Sequence, residues 1–211
     1  MPLPVPRNMM IQSSGRKLSI DFFSDEEVRS ILIEITKKAM EDKKRLDSHR
    51  RYVLLVNFLY RTGGRIDEVL LIKPADVNIG TNTVRMKTLK QGTDRATGLR
   101  KEKYRIIPLH AELRDVYMQY LLDTNIAQKS EDLLFPMKRQ VVDLYFKKLQ
   151  MKLGFGIHAH KFRHTFAVKA IIDNVPLNVL QQWMGHSSVF TTSIYTQITG
   201  MDTSEFMGRI R

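Results

Sequence analysis

The chain has 211 residues, 43% apolar and 27% charged, with no cysteine; it is long enough for one large domain or two small ones, and it excludes a disulfide framework, a thiolate nucleophile and a cysteine-based zinc site. Thirty-four Lys and Arg against twenty-two Asp and Glu leave a net charge of +12, an imbalance that favours a polyanionic partner, nucleic acid first, over a neutral substrate. No apolar run has the length of a signal sequence or a membrane span, so secretion and insertion are not expected, and the lack of cysteine fits a reducing cytoplasm.

Prolines at positions 2, 4 and 6 make residues 1–20 an extended leader or linker, with the folded unit expected over 21–211. Ser24 with Glu27 three residues on is a capping box, and Val28, Ile31, Leu32 and Ile35 follow at helical spacing, which predicts a helix over 25–42. The charged stretch 41–51 ends that helix or opens the next. Residues 52–60 are almost wholly apolar and predict a buried helix, stopped by Thr62-Gly63-Gly64. A short helix over 65–72 precedes Lys73-Pro74. Between 82 and 108 the period becomes two: Thr83-Val84-Arg85-Met86 and Tyr104-Arg105-Ile106-Ile107 predict a hairpin with a long polar tip. Helices are then predicted over 110–123, 139–153, 160–173, 177–184 and 191–198, punctuated by Gly154, Gly156, Pro176 and Gly185. The fold class is therefore mainly α with a small antiparallel β-sheet.

Two features point to function. Residues 85–105 hold eight basic side chains against two acidic ones, half the net charge of the chain, and such a hairpin can lie against phosphates or simply present a solvated face. Histidines and arginines also cluster, in His158-Ala-His160-Lys-Phe-Arg163-His164 and in Met184-Gly185-His186. On a helix His160 and Arg163 share a face, where an imidazole and a guanidinium converge on one phosphate. Arg65 and Glu68 have the same spacing, so the carboxylate can hold the arginine fork. His160 and His164 stand four apart, a zinc-binding spacing, but Lys161 occupies the place of the glutamate a zinc hydrolase needs and no third ligand follows. No metal is expected. His158 and His164 are read as structural, and Phe162, Phe166, Val168 and Trp183 as core.

The blocks Thr62-Gly63-Gly64-Arg65-Ile66-Asp67-Glu68, His160-Lys-Phe-Arg163-His164-Thr-Phe-Ala167 and Gly185-His186-Ser-Ser-Val-Phe-Thr-Thr-Ser-Ile-Tyr195 closely resemble, in order, those of the tyrosine recombinase (phage integrase) family. The resemblance spans about 23–199. It implies a catalytic set of Arg65, Lys90, His160, Arg163, His186 and Tyr195, with Glu68 orienting Arg65. Aligning the first strand selects Lys90 as the hairpin lysine, while counting from Asp76 also tolerates Lys87. Lys87, Arg95, Arg100, Lys101, Lys103 and Lys161 form the expected DNA-binding set. Only about twenty residues precede the match, so the family's N-terminal DNA-clamping domain is expected to be absent.

That set suits one chemistry. A phenol of pKa about 10 is a weak nucleophile unless a base or local positive charge helps remove its proton, and His160 is the candidate base. Two arginines stabilise the charge that builds on the attacked phosphate, His186 adds a hydrogen bond, and Lys90 protonates the leaving 5′ oxygen. No nucleotide or metal cofactor is implied. The expected partners are double-stranded DNA and further copies of the chain, as a tetramer. Two alternatives stay open at this level: a DNA-binding accessory protein on the same fold, and a topoisomerase-like nicking and resealing activity. The reading requires Arg65 and Arg163 to face one pocket within reach of Tyr195.

Overall fold

The computed structural model describes residues 10–13, 16–41, 46–89, 102–188 and 190–195. Two short strands open it, β1 (Met10–Ser13) and β2 (Arg16–Ser19), paired antiparallel with Ser13 opposite Arg16. The extended leader expected over 1–20 therefore holds a hairpin. By sequence, Ser14-Gly15 between the strands is a turn-forming dipeptide, which the proline-based reading underweighted.

Helix α1 (Asp25–Glu41) begins at the predicted capping box: the Ser24 N–H donates to Glu27 Oε2 at 2.9 Å and the Glu27 N–H to Ser24 Oγ at 3.2 Å. Its Val28, Ile31 and Ile35 pack on α2 (Leu46–Thr62), the central helix, whose Leu54, Leu55, Phe58 and Leu59 are fully buried. Each such side chain contributes roughly 1.5–3 kcal/mol. Helix α2 starts six residues before the apolar run, because its charged first turns find partners on the next layer: Arg50 pairs with Asp123 at 3.1 Å, and Arg51 donates to Tyr120 Oη at 3.3 Å.

After α3 (Ile66–Val69) and a 3-10 turn at Pro74–Asp76, β3 (Val77–Asn78), β4 (Thr83–Thr88) and β5 (Lys103–Pro108) form an antiparallel sheet in that order. Strand β3 lies outside the expected hairpin; it pairs with β4 through a turn in which Asn82 takes a left-handed conformation, which asparagine tolerates. Val84, Met86 and Thr88 of β4 face the core with Arg105 and Ile107 of β5, while Arg85, Tyr104 and Ile106 face outward. Helices α4 (Ala111–Thr124), α5 (Arg139–Leu153), α6 (Ala159–Ile172) and α7 (Leu177–Met184) follow within a residue or two of the predicted bounds. The last, α8 (Phe190–Ser193), is one turn long. The main core lies between α1, α2, α4, α5 and the sheet; a smaller one, around Ala167, Val168, Ile171 and Leu180, takes in Tyr195. Among the described residues no helix is long and apolar enough to cross a membrane.

Candidate active site

Two glycines set the first arginine. Gly63 has φ +61°, and a Cβ there would enter the Phe166 ring. A Cβ on Gly64 would come within 2.5 Å of Met86 Cε and 2.8 Å of Val69 Cγ2, so a glycine here lets the backbone press against the sheet. Arg65 follows as the N-cap of α3. Its Nη1 donates to Glu68 Oε1 at 3.0 Å and its backbone N–H to Glu68 Oε2 at 3.2 Å.

Glu68 is fully buried and satisfied from three directions. Besides the two bonds from Arg65, Oε2 accepts from Arg105 Nη2 at 2.7 Å and Oε1 from the Leu89 N–H at 3.4 Å. Four donors match the four lone-pair positions of a carboxylate. Burial pushes its pKa up, but Arg105 first and Arg65 second outweigh that and hold it below the ordinary glutamate value.

Helix α6 carries the second cluster. His158 caps it, its Nδ1 accepting from the Lys161 N–H at 3.2 Å, the structural role expected of it. His160 is exposed at the start of the helix, and its ring meets that of His164 edge-on at 4.3 Å. Arg163 is 2% exposed: its guanidinium donates to the carbonyls of Gly63 and Met184 and to His186 Nε2, the last at 2.7 Å. Burial, followed by the charge of Arg65, lowers its pKa to about 9, which leaves it cationic at neutral pH. Arg65, Arg163 and His160 line one cleft of about 330 Å³, with Gly64 and Arg139 at its walls. The two arginines thus share a pocket.

The third cluster follows α7. Because Arg163 can only donate, His186 Nε2 is the acceptor and Nδ1 carries the proton, 2.8 Å from Thr192 Oγ1. Burial and then Arg163 lower the His186 pKa to about 4, so the ring is neutral at pH 7 and its lone pair steadies Arg163. Tyr195 is 4% exposed, and its hydroxyl is hydrogen-bonded to His164 Nδ1 at 2.9 Å. Burial raises the phenol pKa, and the charges of Arg163 and then Arg65 pull part of that rise back. His164, with its pKa lowered to about 4 by burial and then by His160, is likewise neutral.

Arg65, Glu68, His160, Arg163, His186 and Tyr195 therefore come together as one site. Lys90, Arg95, Arg100 and Lys101 lie outside the described residues. Lys87 is paired with Glu102, and Lys103 is exposed on β5. Lys161 is a correction: expected on a DNA-facing surface, it is 5% exposed, bonded to Asp21 at 3.0 Å and seated over the Phe23 ring at 4.6 Å. Its position on α6 faces the core, and the aliphatic stem is covered there. Sequence reasoning missed two residues. His164 was read as structural, yet it touches the candidate nucleophile. Arg105 counts in the sequence only as one of the hairpin's basic charges, yet strand parity puts it on the inner face with Ile107.

Residues 22–200 match the model of the phage integrase family. The chain belongs to that family. It is 26% identical over 186 residues to the tyrosine recombinase XerA of Pyrococcus furiosus, covering 88% of this chain and 60% of the relative. To XerA of Saccharolobus solfataricus it is 28% identical over 145 residues, 69% of this chain and 45% of the relative. The chain thus spans about half the length of the curated relatives it matches. Among solved structures, XerA recombinase superposes with a TM-score of 0.64 at 23% identity, covering 89% of this chain and 63% of that one. The catalytic domain of bacteriophage HP1 integrase does so with 0.61 at 18% identity, covering 90% of this chain and 94% of that one. Both establish the expected fold, mainly helical with a small antiparallel sheet.

Proposed function

We propose that the chain is the strand-transfer domain of a site-specific DNA recombinase that cuts and rejoins DNA through Tyr195. The observation that carries this reading is the convergence of Arg65, Arg163 and His160 on one cleft, with Tyr195 bonded to His164, whose ring lies against that of His160. A phosphodiester in that cleft meets two guanidiniums, and the charge that develops on its non-bridging oxygens is stabilised where water is partly excluded. Its negative charge also favours protonated His186, turning that ring from an acceptor into a donor. Tyr195 leaves His164 and its apolar seat, its Oη forms a bond to phosphorus, and the P–O5′ bond breaks. The phenol proton passes to His160, and the leaving oxygen takes a proton from Lys90. The product is a 3′-phosphotyrosine and a free 5′ hydroxyl, so a second strand's 5′ hydroxyl can reverse the step without nucleotide hydrolysis. Exchange between two duplexes requires one tyrosine per strand, which makes a tetramer on DNA part of the proposal. Integration, excision and resolution all use this step.

The test is a duplex carrying a nick beside the cleavage point, from which the short leaving strand diffuses away. The reading predicts a covalent protein–DNA adduct that is absent in Tyr195→Phe. DNA binding with no adduct on any substrate would leave the accessory-protein alternative. Adduct without exchange between labelled duplexes would leave nicking and resealing.

A further inference from the structure

Arg105 stands where three limbs of the site meet. It is 7% exposed, opposite Met86 in the sheet, and its guanidinium is spread over three partners. Nη2 donates to Glu68 Oε2 at 2.7 Å, Nη1 to Thr88 Oγ1 at 3.0 Å, and Nε to the Trp183 carbonyl at 2.7 Å. Gly185 lies against the same fork: a Cβ there would sit 3.1 Å from Nη1 and 3.3 Å from Cζ. Each partner leads to a different catalytic group. Glu68 holds Arg65. Thr88 ends β4, followed by Leu89, whose N–H also reaches Glu68, and then by Lys90. Trp183 and Gly185 precede His186.

We propose that Arg105 is a positioning residue of the strand-transfer site, a buried guanidinium that sets Arg65, the base of the β4–β5 hairpin and His186 relative to one another without touching DNA. The proposal rests on the strand-transfer reading for its effect on cleavage, but its structural core stands apart from it. The low exposure of Arg105 separates it from the outward-facing charges of the hairpin, and its planar fork can serve three directions at once, which a lysine ammonium on a flexible stem does less well.

Glu68 gives the proposal a distinctive signature. The charged and titratable groups coupled to it are Arg65 at the start of α3, Arg105 on β5, Arg163 on α6 and His186 after α7. Arg105 is the largest stabilising influence on the carboxylate, and burial is the largest opposing one. Without the Arg105 cation burial prevails and the carboxyl takes up a proton nearer neutrality. A protonated Glu68 no longer orients Arg65. Cleavage by such a variant then falls more steeply towards acid than cleavage by the native protein, whose base must also be unprotonated: activity is present where Glu68 is ionised and is lost as the pH falls through its raised pKa.

The experiment compares the native chain with Arg105→Gln, Arg105→Lys and Arg105→Gln/Glu68→Gln. Adduct formation on the nicked duplex and DNA affinity are measured between about pH 6 and pH 8. The emission of Trp183, the only tryptophan of the chain, is titrated without DNA over the same range. Arg105→Gln is expected to form adduct on the order of 100-fold more slowly at the acid end and to recover as the pH rises, because a small misplacement of the phosphate grip costs about that much. Its DNA affinity is expected to change less than about threefold, since no phosphate contact is lost. Arg105→Lys is expected to recover part of the rate at every pH. The Trp183 emission is expected to titrate in Arg105→Gln but neither in the native chain nor in the double variant, which removes the carboxylate. Equal slowing at every pH, or a Trp183 signal without a titration step, would overturn the proposal in favour of a scaffold role. A large loss of affinity would overturn it in favour of a phosphate contact. If the native chain forms no adduct, the strand-transfer reading fails, while the Trp183 titration still decides the link between Arg105, Glu68 and the end of α7.

Discussion

The two ends of the site are held in opposite ways. At Glu68, four donors from the N-cap of α3, the residue after β4 and β5 fill every lone-pair position of a carboxylate with no exposure to water. At Tyr195, a phenol on the residues after a one-turn helix is docked by a single described hydrogen bond, to His164, over a small apolar cluster. The difference matches what each end has to do. The arginine that grips a phosphate gains from a position settled before the substrate arrives, whereas the group that attacks must travel to phosphorus. Arg163 belongs to both ends, since it is bonded to the turn before Arg65 through Gly63 and to the tyrosine's side through His186.

Substitutions break this contrast in a defined order. Glu68→Ala strips the buried Arg105 of its counter-ion and is expected to cost about 3–5 kcal/mol, seen as the largest fall in thermal midpoint. Gly64→Ala forces Met86 and Val69 aside and is expected to cost about 1–3 kcal/mol, with the adduct rate reduced because Arg65 is the next residue. His164→Phe removes the docking bond of Tyr195 and is expected to cost only about 0.5–1.5 kcal/mol. Adduct formation by that variant is expected to be at least as fast as in the native chain, since the tyrosine leaves its seat more easily. Slower adduct formation would make His164, and not His160, the proton acceptor.

A pH series sharpens the same contrast. His164 and His186 have pKa values near 4 in the folded chain, against an ordinary value of 6.5 for the unfolded chain. Below the ordinary value the unfolded chain binds protons that the folded chain refuses, so stability falls as the pH drops from about 6.5 towards 4. The thermal midpoint is expected to fall between pH 7 and pH 5, less steeply in His164→Phe.

Much of this was legible in the residues. The capping box at Ser24 and Glu27 and the apolar run ending at Gly63-Gly64 announced α1 and α2, because each is a local pattern with a local cause, while the residues of the candidate site came from the family resemblance. Lys161 and Arg105 were not legible as charges alone. Whether a cation meets solvent or core depends on helix phase and strand parity, and both faced inward. The role of His164 was hidden for another reason: its partner lies 31 residues away, and nothing in the intervening sequence encodes that meeting. The β1–β2 pairing was obscured by the prolines before it, which drew attention from the turn-forming Ser14-Gly15.

The most direct test of the account is to digest the trapped adduct and identify the modified peptide and the DNA end attached to it by mass spectrometry. The account predicts that Tyr195 carries the 3′ phosphate and that the released strand ends in a 5′ hydroxyl. Attachment through another residue, or through a 5′ phosphate, would contradict it.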